Sequence, residues 1–220
     1  MSSLCRAIYE GDEILEKYHD FEWCKPNHND RFQFEMLCLE AASVGLSWAT
    51  VMHKRECYKK IFHNFDIDSC AAMRDSELEN ALLNPGIIRN RRKVFGVRSN
   101  AIAVQKIQKE FGSFDAYLWG FSNKEIIDGH WKDVKEIPTS SEISVSMSKD
   151  LKKRGISFVG PVITYSFMQA IGILTYSPTT KVEGFWYQQT LRSYECLTGS
   201  PPMVDAPTTF TTKTFNAWII

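Results

Sequence analysis

The chain has no excess of either charge: 26 Lys and Arg balance 26 Asp and Glu over 220 residues. A protein that coats nucleic acid without selectivity needs a surplus of positive charge, so any grip on a polyanion must come from a local patch. No apolar run is long enough to span a bilayer, and no membrane partner is expected. Met1 to Lys17 carries several acids and no apolar core, which speaks against a secretory signal. The six cysteines (Cys5, Cys24, Cys38, Cys57, Cys70 and Cys196) are scattered and show no C-x-x-C spacing. Free thiols in a reducing, cytoplasmic compartment are therefore expected. Strand-like alternation is scarce outside the C-terminal tail, and no internal repeat is found.

Helical periodicity fills most of what remains. Asp30 can cap a helix running to about Val44, with Phe32, Met36, Leu37 and Leu39 at helical intervals. Gly45 interrupts the pattern, and Leu46 to Cys57 reads as helix again. Further helices are expected from Asp68 or Ser69 and from Ser76 to Leu83, before the break at Asn84-Pro85-Gly86. Asn90 to Phe111 reads as a long basic amphipathic helix with Val94, Val97, Ala101, Val104 and Ile107 on one side. Phe114 to Phe121 is a short aromatic helix, and residues 122–140 are mostly loop. Ser144 to Arg154 and Pro161 to Ala170 are helices, with Pro161 suited to a first position where no N–H is needed. Residues 197–220, rich in Thr, Pro and Ser, suggest an extended arm or loosely ordered tail.

Two segments offer chemistry. The first centres on Glu40, set among Leu37, Cys38, Leu39, Ala41, Ala42 and Val44. Burying an unpaired carboxylate is costly, so its presence needs a reason. One reason is bland: a structural acid paired with Arg or a helix-end amide, which composition alone slightly favours. The other is a recognition site. Glu40 and Trp48 would share a face of one continuous helix, and the Gly45 bend gives a pocket room to open. For Tyr18, Trp23 and Trp48 the default is core packing. His19 beside Asp20 fits an oriented imidazole, a metal ligand or a core histidine. Cys5 and His19 alone do not make a structural zinc site. His28, His53, His63 and His130 have no partners at ligand spacing.

The second segment is the loop from Gly155 to Gly160. Exposed amides there, with the positive end of the helix opened by Pro161, can cradle a phosphate. Lys149, Lys152, Lys153 and Arg154 precede it. Arg89, Arg91, Arg92, Lys93 and Arg98 form a second basic cluster. A plain connector and a solvated helix face account for the same residues, but two basic clusters in a neutral chain raise the case for nucleic acid.

Over roughly residues 15–175 the chain resembles the DNA-3-methyladenine glycosylase I family of the helix-hairpin-helix glycosylase superfamily. The resemblance rests on Tyr18-His19-Asp20 with Glu22-Trp23, on Phe34 to Glu40, and on Gly45-Leu46-Ser47-Trp48. It continues through Gly86-Ile87-Ile88-Arg89 and Glu136 to Ser140. Lys152-Lys153-Arg154-Gly155, Phe158-Val159-Gly160 and Tyr165 to Ala170 complete it. It implies an all-α fold, two helical lobes with the base pocket between them and the helix-hairpin-helix near 144–173. That domain would cover residues 1–190, leaving 191–220 as a tail of unknown role. It implies monofunctional hydrolysis of the N-glycosidic bond of 3-methyladenine, leaving an abasic site. Glu40 matches the family's pocket glutamate and is the expected catalytic residue; Tyr18 and Trp48, with Trp23, are expected to bind the base. Lys153, Arg154, Ser157, Val159 and Gly160 are expected to bind DNA. The partner would be double-stranded DNA containing alkylated bases, met by a monomer in a bacterial-type, nucleoid-associated setting.

The chemistry suits those residue types. Methylation at N3 makes the adenine cationic and already a good leaving group. The enzyme must extrude the nucleotide and hold the base between π-faces, with water as nucleophile. Pro161 to Thr180 contains no Asp or Glu, and no Lys lies between Gly155 and Gly160. The chain therefore lacks both the carboxylate that many superfamily members carry beyond the hairpin and a lysine nucleophile within it.

Members of the family hold zinc through an early Cys, the His of the Tyr-His-Asp block and a late His-x-x-x-Cys. Cys5 and His19 would fill the first two places. Counting without gaps puts the late pair at Ser177 and Lys181, and no His follows His130. No metal and no cofactor are expected, and Phe185, Trp186 and Tyr187 would tie the chain ends instead. The family's Trp shortly after the first Cys is missing, since Cys5 is followed by Arg6, Ala7 and Ile8, and Cys24 stands where Gly usually follows Trp23. Two rival expectations remain: a catalytically impaired DNA-binding protein that keeps the hairpin, and an interaction domain that uses 197–220 as an arm.

Overall fold

Small polar residues start most of the helices by giving the first free amides an acceptor. The computed structural model describes residues 11–131 and 137–175. The expectations for Cys5, Glu136, Ser177, Lys181, Phe185, Trp186, Tyr187 and the tail lie outside those residues. Asp12 caps α1 (Glu13–Phe21), Asn29 caps α2 (Asp30–Ser43) and Ser47 caps α3 (Trp48–Met52). Then come α4 (Arg55–Ile61), α5 (Ile67–Ala71, capped by Asp66) and α6 (Asp75–Leu83). Asn90 caps the long α7 (Arg91–Phe111), and Ser113 caps α8 (Phe114–Gly120). Ser141 caps α9 (Glu142–Lys153), and Pro161 opens α10 (Pro161–Ala170). The described residues are all-α but for one parallel pair of two-residue strands, β1 (Ile127–Asp128) and β2 (Leu174–Thr175). No helix among them is long and apolar enough to cross a membrane.

Three expectations need correction. Asn29 caps α2, through the Phe32 amide at 3.0 Å, and Asp30 has another task. Its carboxylate accepts from the amides of Phe114 and Asp115 and from Gln108, so it seats the start of α8. The run from Leu46 to Cys57 is two helices, broken at His53 and Lys54. The expected loop after Phe121 contains β1, which pairs with a strand the periodicity did not reveal. Two-residue strands are too short to carry an alternation.

Helix α2 is the axis of the core. Every residue from Phe32 to Ser43 is buried, because α3, α7, α8 and α10 all pack on it. A helix buried all round must account for each polar side chain it carries. Gln33 donates to the Asn27 carbonyl and to Asp115, and Ser43 donates to the Glu40 carbonyl. Glu35 is ion-paired. The Glu40 side chain is the exception.

Candidate functional site

Glu40 is fully buried, and neither of its carboxylate oxygens has a hydrogen-bond partner among the described residues. Burial alone pushes its pKa up to about 8, so it rests as a neutral acid at pH 7. Tyr18 on α1 and Trp48 at the start of α3 lie 5.5 Å apart, centroid to centroid, with their rings tilted by 52°. Both are buried. The Tyr18 phenol is held well above its ordinary pKa by burial and then by the nearby Glu40 charge, which places the two groups in one electrostatic neighbourhood. Gly45 makes this possible: at φ +77 it adopts a left-handed conformation that ends α2 and turns the chain into α3. The expected bend is real, with Glu40 on the helix before it and Trp48 at the start of the helix after it.

Trp23 is buried just beyond α1, and its ring stacks on His19 at 5.4 Å. His19 Nδ1 lies 3.0 Å from Asp20. Cys24 occupies the left-handed region at φ +57, the conformation a glycine adopts without cost. Among the described residues no group of three or more His, Cys, Asp or Glu is placed to hold a metal. Neither Ser177 nor Lys181 supplies a normal zinc donor, so the donor set does not fit the family's zinc site.

A second glutamate of α2 shows what Glu40 lacks. Glu35 accepts from Arg55 Nε at 2.7 Å and from Arg31 at 3.3 Å, and Lys59 stands 3.7 Å away. Arg55 also makes a two-pronged pair with Glu22, at 2.8 and 2.7 Å. Sequence reasoning missed this network: Arg31 lies at helical i,i+4 spacing from Glu35, but Arg55 and Lys59 come from α4, and no local spacing joins them to Glu35.

The hairpin between α9 and α10 is built around its backbone. Gly155 and Phe158 have positive φ, +92 and +60. The Val159 carbonyl is taken by Ser148 at 2.6 Å and Thr164 at 3.3 Å. The Ser157 amide and hydroxyl both donate to Asn100 Oδ1. By contrast, the amides of Phe158, Val159 and Gly160 donate to no acceptor among the described residues. Lys152 and Lys153 are exposed beside them. Arg154 is turned inward: it pairs with Glu110 and Asp150 and lies over the rings of Phe111 and Tyr117. In the other basic cluster, Arg91 pairs with Glu79 and Arg98 with Asp75, while Arg89 and Arg92 are exposed.

The geometry has parallels among known proteins. A family model for methyladenine glycosylase matches residues 8–180. The DNA-3-methyladenine glycosylase of Haemophilus influenzae is 38% identical over 174 residues, which is 79% of this chain and 94% of that one. DNA-3-methyladenine glycosylase 1 of Escherichia coli is 42% identical over 163 residues, 74% of this chain and 87% of its own length. A solved structure of 3-methyladenine DNA glycosylase I from Staphylococcus aureus, described for its recognition of 3-methyladenine, superposes with a TM-score of 0.74 at 31% identity. That match covers 79% of this chain and 91% of the other.

Proposed function

The chain belongs to the methyladenine glycosylase family, and from that membership we propose that it is a DNA repair enzyme acting on alkylated DNA. It hydrolyses the N-glycosidic bond of 3-methyladenine with water as nucleophile and leaves an abasic site. Glu40 is the catalytic residue. Tyr18 and Trp48 bind the extruded base, with Trp23 behind them. The observation that carries this reading is the buried Glu40 carboxyl, without a hydrogen-bond partner among the described residues, whose charge acts on Tyr18, the ring that meets Trp48.

That arrangement selects for charge. Burial is what lifts the Glu40 pKa. An incoming cationic purine lowers it again, because an opposite charge in a dry site favours the ionised acid. Glu40 then releases its proton to water and becomes a carboxylate paired with the base. Neutral adenine offers no charge and gains no such pair. The ring faces of Tyr18 and Trp48 favour a cation for the same electrostatic reason.

DNA is held by the hairpin. The amides of Val159 and Gly160 and the exposed Lys153 supply the phosphate contacts, while Ser157, expected to join them, gives its amide and hydroxyl protons to Asn100. Arg154 stands beside them, anchored by Glu110 and Asp150. The substrate is double-stranded, the protein acts as a monomer, and the domain spans residues 1–190 with 191–220 as an appended tail. A duplex carrying labelled 3-methyladenine tests the reading. Wild type should release the free base, and Glu40→Gln should do so about 100-fold more slowly in single turnover. A folded wild type that releases nothing would overturn it.

A further inference from the structure

Helix α7 makes two polar contacts that the glycosylase reading leaves unused. Lys93 Nζ donates to the carbonyls of Ala42, at 2.9 Å, and Val44, at 2.6 Å. These oxygens stand at the end of α2, within a turn of Glu40 and immediately before Gly45. The last carbonyls of a helix have no donor within it, and a cation suits its negative end. The ammonium is half-buried, and burial pulls its pKa down, so a cation has given up part of its hydration to hold this turn.

Seven residues along, Asn100 is 1% exposed, and its Oδ1 accepts from both the amide and the hydroxyl of Ser157. Between them lies Gly96, where a methyl group would sit 3.1 Å from Ser157 Oγ and 3.8 Å from the Phe158 ring. Positions 93, 96 and 100 are spaced by three and four residues and occupy one face of the helix. One face of one helix therefore touches both the turn behind the base site and the hairpin.

We propose that Lys93 and Asn100 are positioning residues. Lys93 holds the α2–α3 turn, with Glu40 before it and Trp48 after it, in register with the hairpin that Asn100 holds. Helix α7 thereby sets the distance between base pocket and phosphate cradle. The inference rests on the glycosylase reading and adds to it. It also separates Lys93 from the exposed Arg89 and Arg92, the latter lying over the Phe158 ring of the hairpin.

Lys93→Met keeps the side-chain stem and removes the donors. At saturating methylated duplex, its single-turnover release of 3-methyladenine should fall about tenfold, the scale of a small misplacement at a reacting centre. The dependence of duplex binding on salt should keep the wild-type slope. A lysine on a phosphate would behave the opposite way, lowering that slope by about 0.9 and sparing the saturated rate. Lys93→Arg, which keeps N–H donors at similar reach, should recover most of the rate. The double variant Lys93→Met/Asn100→Ala should be no more than about twofold slower than the slower single variant, since one register cannot be lost twice. A lowered slope with an unchanged rate, or fully additive losses, would overturn the proposal. If Lys93→Met does not fold, Lys93→Gln, with one donor, carries the same comparison of rate against slope. A wild type that releases no base sinks the glycosylase reading and this inference with it. An active wild type beside an equally active Lys93→Met protein overturns the inference alone.

Discussion

Glu35 and Glu40 lie on one helix, five residues apart and equally inaccessible to water, yet their surroundings are opposite. Glu35 is met by Arg55, Arg31 and Lys59, and Arg55 is itself shared with Glu22. Glu40 is met by no cation and no donor among the described residues. An ion pair inside a protein is a completed structure, and removing one partner strands the other charge. A lone buried acid has no such pair, and on the proposed reading a ligand supplies it. On that reading, the two glutamates of this core helix differ as an acid that holds the fold and an acid reserved for a ligand.

The contrast can be broken most sharply through pH. The Glu40 pKa is raised from 4.5 to about 8, so the stability tied to its neutral form is complete below pH 4.5 and is lost as pH rises to about 8. Glu40→Gln has no such loss. Its stability advantage over wild type should open by roughly 1.4 kcal/mol per pH unit across that window, about 5 kcal/mol in all, and flatten above it. Urea melts from pH 4 to pH 9 measure the gap; a constant difference would mean that Glu40 is paired after all. At the other glutamate, Arg55→Met leaves Glu22 and Glu35 without their main partner and should cost about 4 kcal/mol at neutral pH. If the loss is under about 1 kcal/mol, the network is not holding α2. Arg31→Ala sharpens the same comparison from the rim. Its side chain is 40% exposed and its contact to Glu35 is the longer one, so about 0.5 kcal/mol is expected in the same assay.

Much of this architecture was legible in the sequence, and the reasons are local. Apolar spacing marks α7 and Pro161 marks the start of α10 because both signals act within a few residues, whereas α9 starts at Glu142 after its Ser141 cap, two residues before the expected Ser144. Gly45 reads as a bend because only a residue tolerant of positive φ ends α2 so abruptly. Family resemblance singled out Glu40, Tyr18 and Trp48; the fold brings the Tyr18 and Trp48 rings together and sets Tyr18 within reach of the Glu40 charge. What could not be read was which of two neighbouring glutamates would be paired. That depends on Arg55, twenty residues from Glu35, and on which way α4 packs. Arg154 and Lys93 sit in basic clusters that look alike in sequence. One turns to acids of α7 and α9, the other to two backbone carbonyls, and nothing in a run of positive residues distinguishes those fates. Asn100 left a fainter trace, a polar residue next to the apolar face of α7.

The most direct test follows the Glu40 carboxyl itself by carbon-13 NMR, as a function of pH and with added 3-methyladenine. The account predicts a midpoint near pH 8 in the free protein and a shift of that signal when the base is added. A midpoint in the ordinary range near 4.5, together with a signal indifferent to the base, would contradict it.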